Sequence, residues 1–498
     1  MASIPSAPSL RYRLRDWAEQ VAFTPRQKRV AAIAALCGFG AFWGAAVALA
    51  GVNGALLCIS FVACIFCLRD FRAGAALLIA IMPISQSYVF PHAMLGITGM
   101  NPLNLLLMAT LLSYFMRAVG DGTLRDFLPA RLFWWYIAPI TLGAILGMQN
   151  VGRIPGIFRD LELIFFDGPG GYVRDYWGKP LTFVLYALLV AAAVARSRQV
   201  ERFITPMILS VWVMAALALV FVAMSGVSLS ELAGTYARHF LSKLGMHAND
   251  LGRLYATAFA LLLFIWDRTE RIALKSGLFL TMGAVGIALL LTFSRGAILG
   301  AVIVAMIYLL SRRNAKTIAM ALAALPLALW LMPGALWYRL TIGFGAGANA
   351  VTAGRTEEIW EPLLPELFKS PVFGEGLGSI LWSNAMIDGR LLQVAHPHNA
   401  YLQLFMDLGL VGFVLVLGFW VWTWRQFRAL ARDARLVPEM QGFFEGAAAG
   451  LLGFLITGMA GSSFMPVPAQ AFLWLAVGVM FGMRVRLRAM QAHATGQS

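Results

Sequence analysis

Fourteen apolar runs, most of them about 17 to 21 residues long, occupy this 498-residue chain almost from end to end, and no other feature restricts its fold as much. Coiled as a helix, such a run crosses a hydrocarbon core of roughly 30 Å with its backbone polar groups paired internally. The runs lie at about 31–50, 52–68, 73–92, 102–119, 132–148, 180–196, 205–225, 250–266, 276–293, 297–311, 317–334, 404–424, 441–458 and 468–484. The run at 297–311 is short, and the one at 441–458 is glycine-rich and contains Glu445. With 60% hydrophobic and only 13% charged residues, a water-soluble globule could not cover its apolar surface. The expected fold class is an all-α polytopic membrane protein with about 14 transmembrane helices (range 12–14).

A net charge of +15 is compatible with nucleic-acid binding, but the placement of the charges argues against it. With a cytoplasmic N-terminus, 27 of the 39 lysines and arginines fall in inner loops and tails, although the outer side has the two longest loops. This is the positive-inside pattern, with both termini cytoplasmic. Nucleic acid is not an expected partner; membrane lipid is. No cleavable leader is read, because the first apolar run begins near Ala31 after a basic segment and a second run follows at once. The chain therefore divides into a cytoplasmic segment at 1–30, a single transmembrane domain at 31–484 and a cytoplasmic tail at 485–498. Cys64 and Cys67 form a CxxC inside an apolar helix, where packing is the better reading than redox or metal chemistry.

Two outer loops stand out. The first, about 149–179, is charged and glycine-containing. The second runs from about 335 to 398 and contains short helices: Ile359, Leu363, Leu364 and Leu367 have helical spacing, interrupted by Pro362 and Pro365. Gly374-Glu375-Gly376-Leu377-Gly378 then reads as a flexible turn whose backbone could approach a ligand closely. A loop of this length is usually functional.

The candidate chemistry lies on the same side. Arg253 stands where one span enters from outside, and Arg295 stands in the tight outer turn Thr292-Phe293-Ser294-Arg295-Gly296. A single membrane arginine is as readily an interfacial snorkeling residue as a functional one. An arginine between two apolar spans is nevertheless costly unless it meets an anion, and two or more converging with Arg355 would clamp a diphosphate. His396 and His398 close the second loop at the mouth of a helix. A lone histidine there is more often a structural hydrogen-bonder, but His398 shares the side and depth of the arginines and suits a general base for a sugar hydroxyl. His396 is a loop histidine or its helper. Asp407 and Glu445 lie inside apolar segments; Asp407, two to three turns below His398, suits a structural hydrogen bond or salt bridge. No HxxxH, DxD or carboxylate–histidine cluster suggests a metal, and no cofactor is expected.

These residues resemble the O-antigen ligase and Wzy-type polysaccharide polymerase superfamily. The resemblance rests on Ser294-Arg295-Gly296 at a hairpin turn, Gly354-Arg355 followed by Trp360, and Pro371 with Gly374 to Gly378. His398-Asn399 with Leu402, Gly409 and Gly412 complete it, and about residues 245–425 are covered. It implies a GT-C-like glycosyltransferase of the bacterial inner membrane, acting at its periplasmic face without a metal on an undecaprenyl-diphosphate-linked oligosaccharide. By motif, His398 is then the catalytic base, Arg295, Arg253 and Arg355 hold the diphosphate, and His396, Asn399 and Asp407 support. The acceptor is a second lipid-linked glycan for a polymerase or lipid A core for a ligase; the polymerase is favoured because fourteen spans exceed the dozen or so of the ligases. A chain-length regulator or flippase is a natural partner. A non-enzymatic transporter of lipid-linked oligosaccharide is the alternative from another class.

Overall fold

The computed structural model describes residues 24–494 apart from 89, 125–126, 229–230, 232–240, 242, 313, 315–317, 320–321, 324–325, 327–329, 331, 392–393 and 462. Most of the 1–30 segment and the last four residues of the tail lie outside the described residues. The fold is all-α and polytopic; the only strands among the described residues are the two-residue pairs Ala93–Met94 and Ile97–Thr98.

Among the described residues, eleven helices are long and apolar enough to cross a membrane. They are α1 (Pro25–Arg69), α3 (Pro102–Gly120), α4 (Ala130–Met148), α5 (Gly168–Ala195), α6 (Val200–Ser225), α7 (Ala248–Arg268), α8 (Ile272–Leu291), α9 (Arg295–Arg312), α10 (Ala400–Ala431), α11 (Pro438–Ala460) and α12 (Pro468–Ala492), and the short apolar helix Phe71–Ile81 is α2.

Three differences separate these eleven from the fourteen apolar runs. The runs 31–50 and 52–68 are one continuous helical element, α1, broken at Gly51 (φ 55°, ψ −132°). The break brings the two arms so close that a side chain at Gly54 would strike the carbonyl of Ala46. The run 73–92 is a helix only to Ile81, because Pro83 follows and cannot continue the ladder. The run 317–334 falls in part outside the described residues. The first outer loop is also shorter than the sequence implied, since α5 already begins at Gly168.

The glycine-rich run is the firm helix α11. Its glycines let two helix backbones meet: a methyl group at Gly442 or Gly446 would collide with the carbonyls of Phe264 and Ala260 on α7. Gly478 and Gly482 of α12 bear in the same way on α5. Lipid provides no hydrophobic drive between helices, so close van der Waals contact across small residues substitutes for it. Helices α7, α9 and α11 form a three-helix unit, with α8 against α7.

One end of this unit is tied by ions. Arg312 donates to Asp267 (Nε 2.8 Å) and to both oxygens of Glu445 (2.9 and 3.0 Å). Arg268 joins Glu445 at 3.3 Å, and the Tyr308 hydroxyl donates to Asp267 at 2.8 Å. Glu445, an intramembrane carboxylate in the sequence, thus has its countercharges on α7 and α9.

Candidate active site

The opposite end of the same unit is built differently. The start of α7, the tight α8–α9 turn, the end of α11 and the long loop 333–399 converge there on a cavity of about 210 Å³. Its lining includes Arg253, Arg295, Arg339 and Arg355, together with Asn249, Ser294 and Trp360. The structure therefore brings the three arginines singled out in the sequence to one place and adds a fourth. Arg339 sits on the short loop helix Gly334–Thr341. Its sequence signal, a basic residue early in the second outer loop, carried no motif.

Arg253, Arg295 and Arg355 each donate to a carboxylate or to backbone carbonyls. Arg253, 13% exposed, donates to Asp250 one turn before it at 3.2 Å. Arg295 donates to the carbonyls of Ile342 (3.1 Å) and Val351 (3.4 Å), and Arg355 to that of Ala460 (2.8 Å). The Ser294 hydroxyl donates to the Asn249 side chain at 2.8 Å, joining the start of α9 to the start of α7. The N-termini of both helices face the cavity, and each contributes the positive end of a macrodipole. Guanidinium groups and amide-bearing helix ends around one space attract a multiply charged anion.

The histidine pair adjoins this cavity without lining it. The His396 and His398 rings are 4.2 Å apart between centroids. The Trp360 indole, itself a wall of the cavity, donates to the carbonyl of Pro397 between them at 2.9 Å. The His396 side chain keeps an exposed face although protein surrounds it. Desolvation by that protein, reinforced by the charges of Arg253, His247 and Arg355 against the opposing pull of Asp250, lowers its pKa to about 4. It is a neutral imidazole at ordinary pH.

Backbone strain is concentrated here. Five described non-glycine residues have positive φ, and three of them are Phe293 (49°), Ala353 (58°) and His398 (52°). Phe293 and Ala353 line the cavity, and His398 ends the loop beside it. Such conformations cost about 1–3 kcal/mol each and persist where surrounding structure imposes them.

The supporting residues have clear structural partners. Asn399 is the N-cap of α10, its side chain accepting from Tyr401 N (3.0 Å) and Leu402 N (3.2 Å). Asp407 is buried and does not reach the cavity; it accepts from the backbone N–H (3.1 Å) and hydroxyl (2.8 Å) of Ser379. Glu357, Glu358 and Glu361 are exposed, the solvated face of a broken loop helix over 356–368 whose Ile359 and Leu363 are buried, while Leu364 is half exposed.

The glycine turn corrects its sequence reading. The close approach that Gly374, Gly376 and Gly378 permit is made to protein. Helix α10 breaks at Gly409 (φ 63°), and the freed N–H groups of Leu410 and Val411 donate to the carbonyls of Pro371 and Val372. In return Glu375 N and Gly376 N donate to Met406 and Asp407, and Leu377 N donates to Gly143 of α4 at 2.9 Å. A side chain at Gly374 or Gly409 would meet that neighbouring backbone, and both have positive φ. The Tyr172 hydroxyl of α5 closes the joint on Leu377 O at 2.6 Å. The turn anchors the long loop, and so the histidine pair, to three helices.

No curated protein matches the chain. Residues 277–417 match the family model described as O-antigen ligase, Wzy_C. This stretch holds the α8–α9 turn with Arg295, the whole loop with Arg339, Arg355 and Trp360, the histidine pair, and α10 through its break; Arg253 lies outside it. Over residues 277–417 the chain is thus similar to an O-antigen ligase domain, and the match supports its resemblance to the O-antigen ligase and Wzy-type polymerase superfamily.

Proposed function

We propose that the chain is a metal-independent glycosyltransferase of the bacterial inner membrane that moves a glycan from undecaprenyl diphosphate to an acceptor sugar hydroxyl at the periplasmic face. The observation that carries this reading is the convergence of four arginines and two helix N-termini on one cavity beside a histidine pair. In the proposed reaction His398 takes the proton of the acceptor hydroxyl, and the oxygen attacks the anomeric carbon. The bond from that carbon to the diphosphate oxygen breaks, and its electron pair leaves with the lipid diphosphate. Arg253, Arg295 and Arg355 neutralise the charge developing there, which is the main electrostatic contribution to such a step. Inversion at the anomeric carbon is the outcome the superfamily resemblance implies. A narrow groove below the cavity supports a lipid-linked donor. It shares Arg253 and Gly296 with the cavity and descends between α7, α9 and α11 along Ala256, Gly300, Val304, Gly450 and Gly453.

We take repeat-unit polymerisation as the form of the reaction. Eleven spanning helices among the described residues no longer favour it over ligation to lipid A core, so the acceptor assay decides. The test is transfer by the purified full chain from a synthetic polyprenyl-diphosphate-linked saccharide, offered either a second lipid-linked repeat unit or lipid A core. His398→Ala should lose at least about 100-fold in rate while melting at the wild-type temperature. Wild-type transfer by a folded His398→Ala protein would end the assignment of the base.

A further inference from the structure

The long loop enters the cavity through a segment with an unusual construction. Helix Gly334–Thr341 carries Arg339 into the cavity wall, while its neighbours Trp337 (51% exposed) and Tyr338 (61%) face outward with Phe344 (67%). Aromatic side chains of that kind settle at a membrane–water interface. The helix is followed by Gly343, Gly345 and Gly347, with φ of 90°, 87° and 93°. Space around the last two is open: a Cβ at either would meet nothing within 4 Å. Three left-handed glycines in five residues make a joint that packing holds at Gly343, against Ala350, and leaves open at the other two.

Arg295 ties its two ends together. Its Nη1 donates to the carbonyl of Ile342 just before the glycines and to that of Val351 just after them. The same guanidinium lines the cavity, so an anion there competes with two neutral carbonyls for it. A charged acceptor makes roughly twice as strong a bond as a neutral one. Arg339, on the far side of the joint, lines the same cavity.

We infer that the segment 334–351 is an anion-operated strap: a diphosphate that takes Arg295 releases the glycine joint, and Arg339 closes on the same diphosphate as a further ligand. This rests on the proposed function in taking the cavity as the diphosphate site, and goes beyond it in assigning Arg339 and a closing step. The strap distinguishes one phosphate from two. A diphosphate has oxygens enough to engage Arg295 and Arg339 together, whereas a monophosphate satisfies Arg295 alone.

Hydrogen exchange of the full chain in detergent, with inorganic pyrophosphate or inorganic phosphate added, tests this alongside pyrophosphate affinity. Pyrophosphate should slow exchange across 334–341 and speed it across 343–347; phosphate should leave 334–341 unchanged. Arg339→Ala should weaken pyrophosphate binding about tenfold and abolish the slowing, and Arg339→Lys, which keeps charge but not the fork, should fall between. If Arg295→Ala weakens binding while both Arg339 variants bind and protect as wild type, the strap is wrong and the diphosphate site stands. If pyrophosphate neither binds nor alters exchange, the diphosphate site falls and the strap with it.

Discussion

Helices α7, α9 and α11 carry arginines at both ends, and the two ends surround them differently. At one end Arg312 and Arg268 face Asp267 and Glu445, so two cations meet two carboxylates. At the other, Arg253, Arg295, Arg339 and Arg355 line one cavity, and the carboxylate bonded to one of them is Asp250. An arginine at a membrane boundary is therefore not a functional signal by itself. The signal is a convergence of arginines and helix N-termini on one cavity, since that is where a ligand's charge is expected. The ion-paired end should answer to substitution in stability, the cavity end in activity.

The widest separation should come from the histidine beside the cavity end. His398→Ala is expected to lower the rate of glycan transfer by about 10²- to 10⁴-fold, the range of a general base, with the melting temperature kept. Arg295→Ala should cost on the order of 10²-fold in rate with little change in melting, because its bonds to Ile342 and Val351 lie on the exposed side. Arg295→Lys should recover only part of this, because a point charge does not replace a bidentate fork. Arg312→Ala should do the reverse: a loss of roughly 1–3 kcal/mol in detergent unfolding, between exposed and buried pairs, with transfer per folded molecule preserved. An Arg312 variant that melts normally but cannot transfer would break the distinction between the ends.

The smallest effect concerns His396. Its folded pKa of about 4 lies below the usual imidazole value, so the unfolded chain binds the proton more readily. Its contribution to stability is complete above about pH 6.5 and is lost as pH falls from there towards 4. His396→Gln should flatten that part of the melting-temperature profile and leave the rate profile between pH 6.5 and 8 unchanged. A shift of the rate profile would make His396 a participant in proton transfer.

Hydropathy made the spans legible because lipid demands long apolar helices whatever their neighbours. It did not show that α2 stops at Ile81, which Pro83 decides, nor that α1 folds on itself at Gly51. Arg253, Arg295 and Arg355 could be gathered because topology alone puts them at one level. Arg339 could not, because its place depends on how a loop with three left-handed glycines turns back over the cavity. The 374–378 glycines were misread for a related reason: a sequence shows that backbone can come close, but not to what. They meet the break at Gly409, and Asp407 accepts from Ser379 in the same joint. Asn399 is legible in hindsight as an N-cap, since asparagine before a helix accepts from the first free N–H groups.

The central claim is that the cavity end receives the donor's diphosphate, and the most direct test is a structure of the full chain with a polyprenyl diphosphate bound. The two phosphates should lie within hydrogen-bond distance of Arg253 and Arg295, with the lipid entering beside Gly300 and Gly450. Phosphates found anywhere else, above all at the Arg312 end, would contradict it.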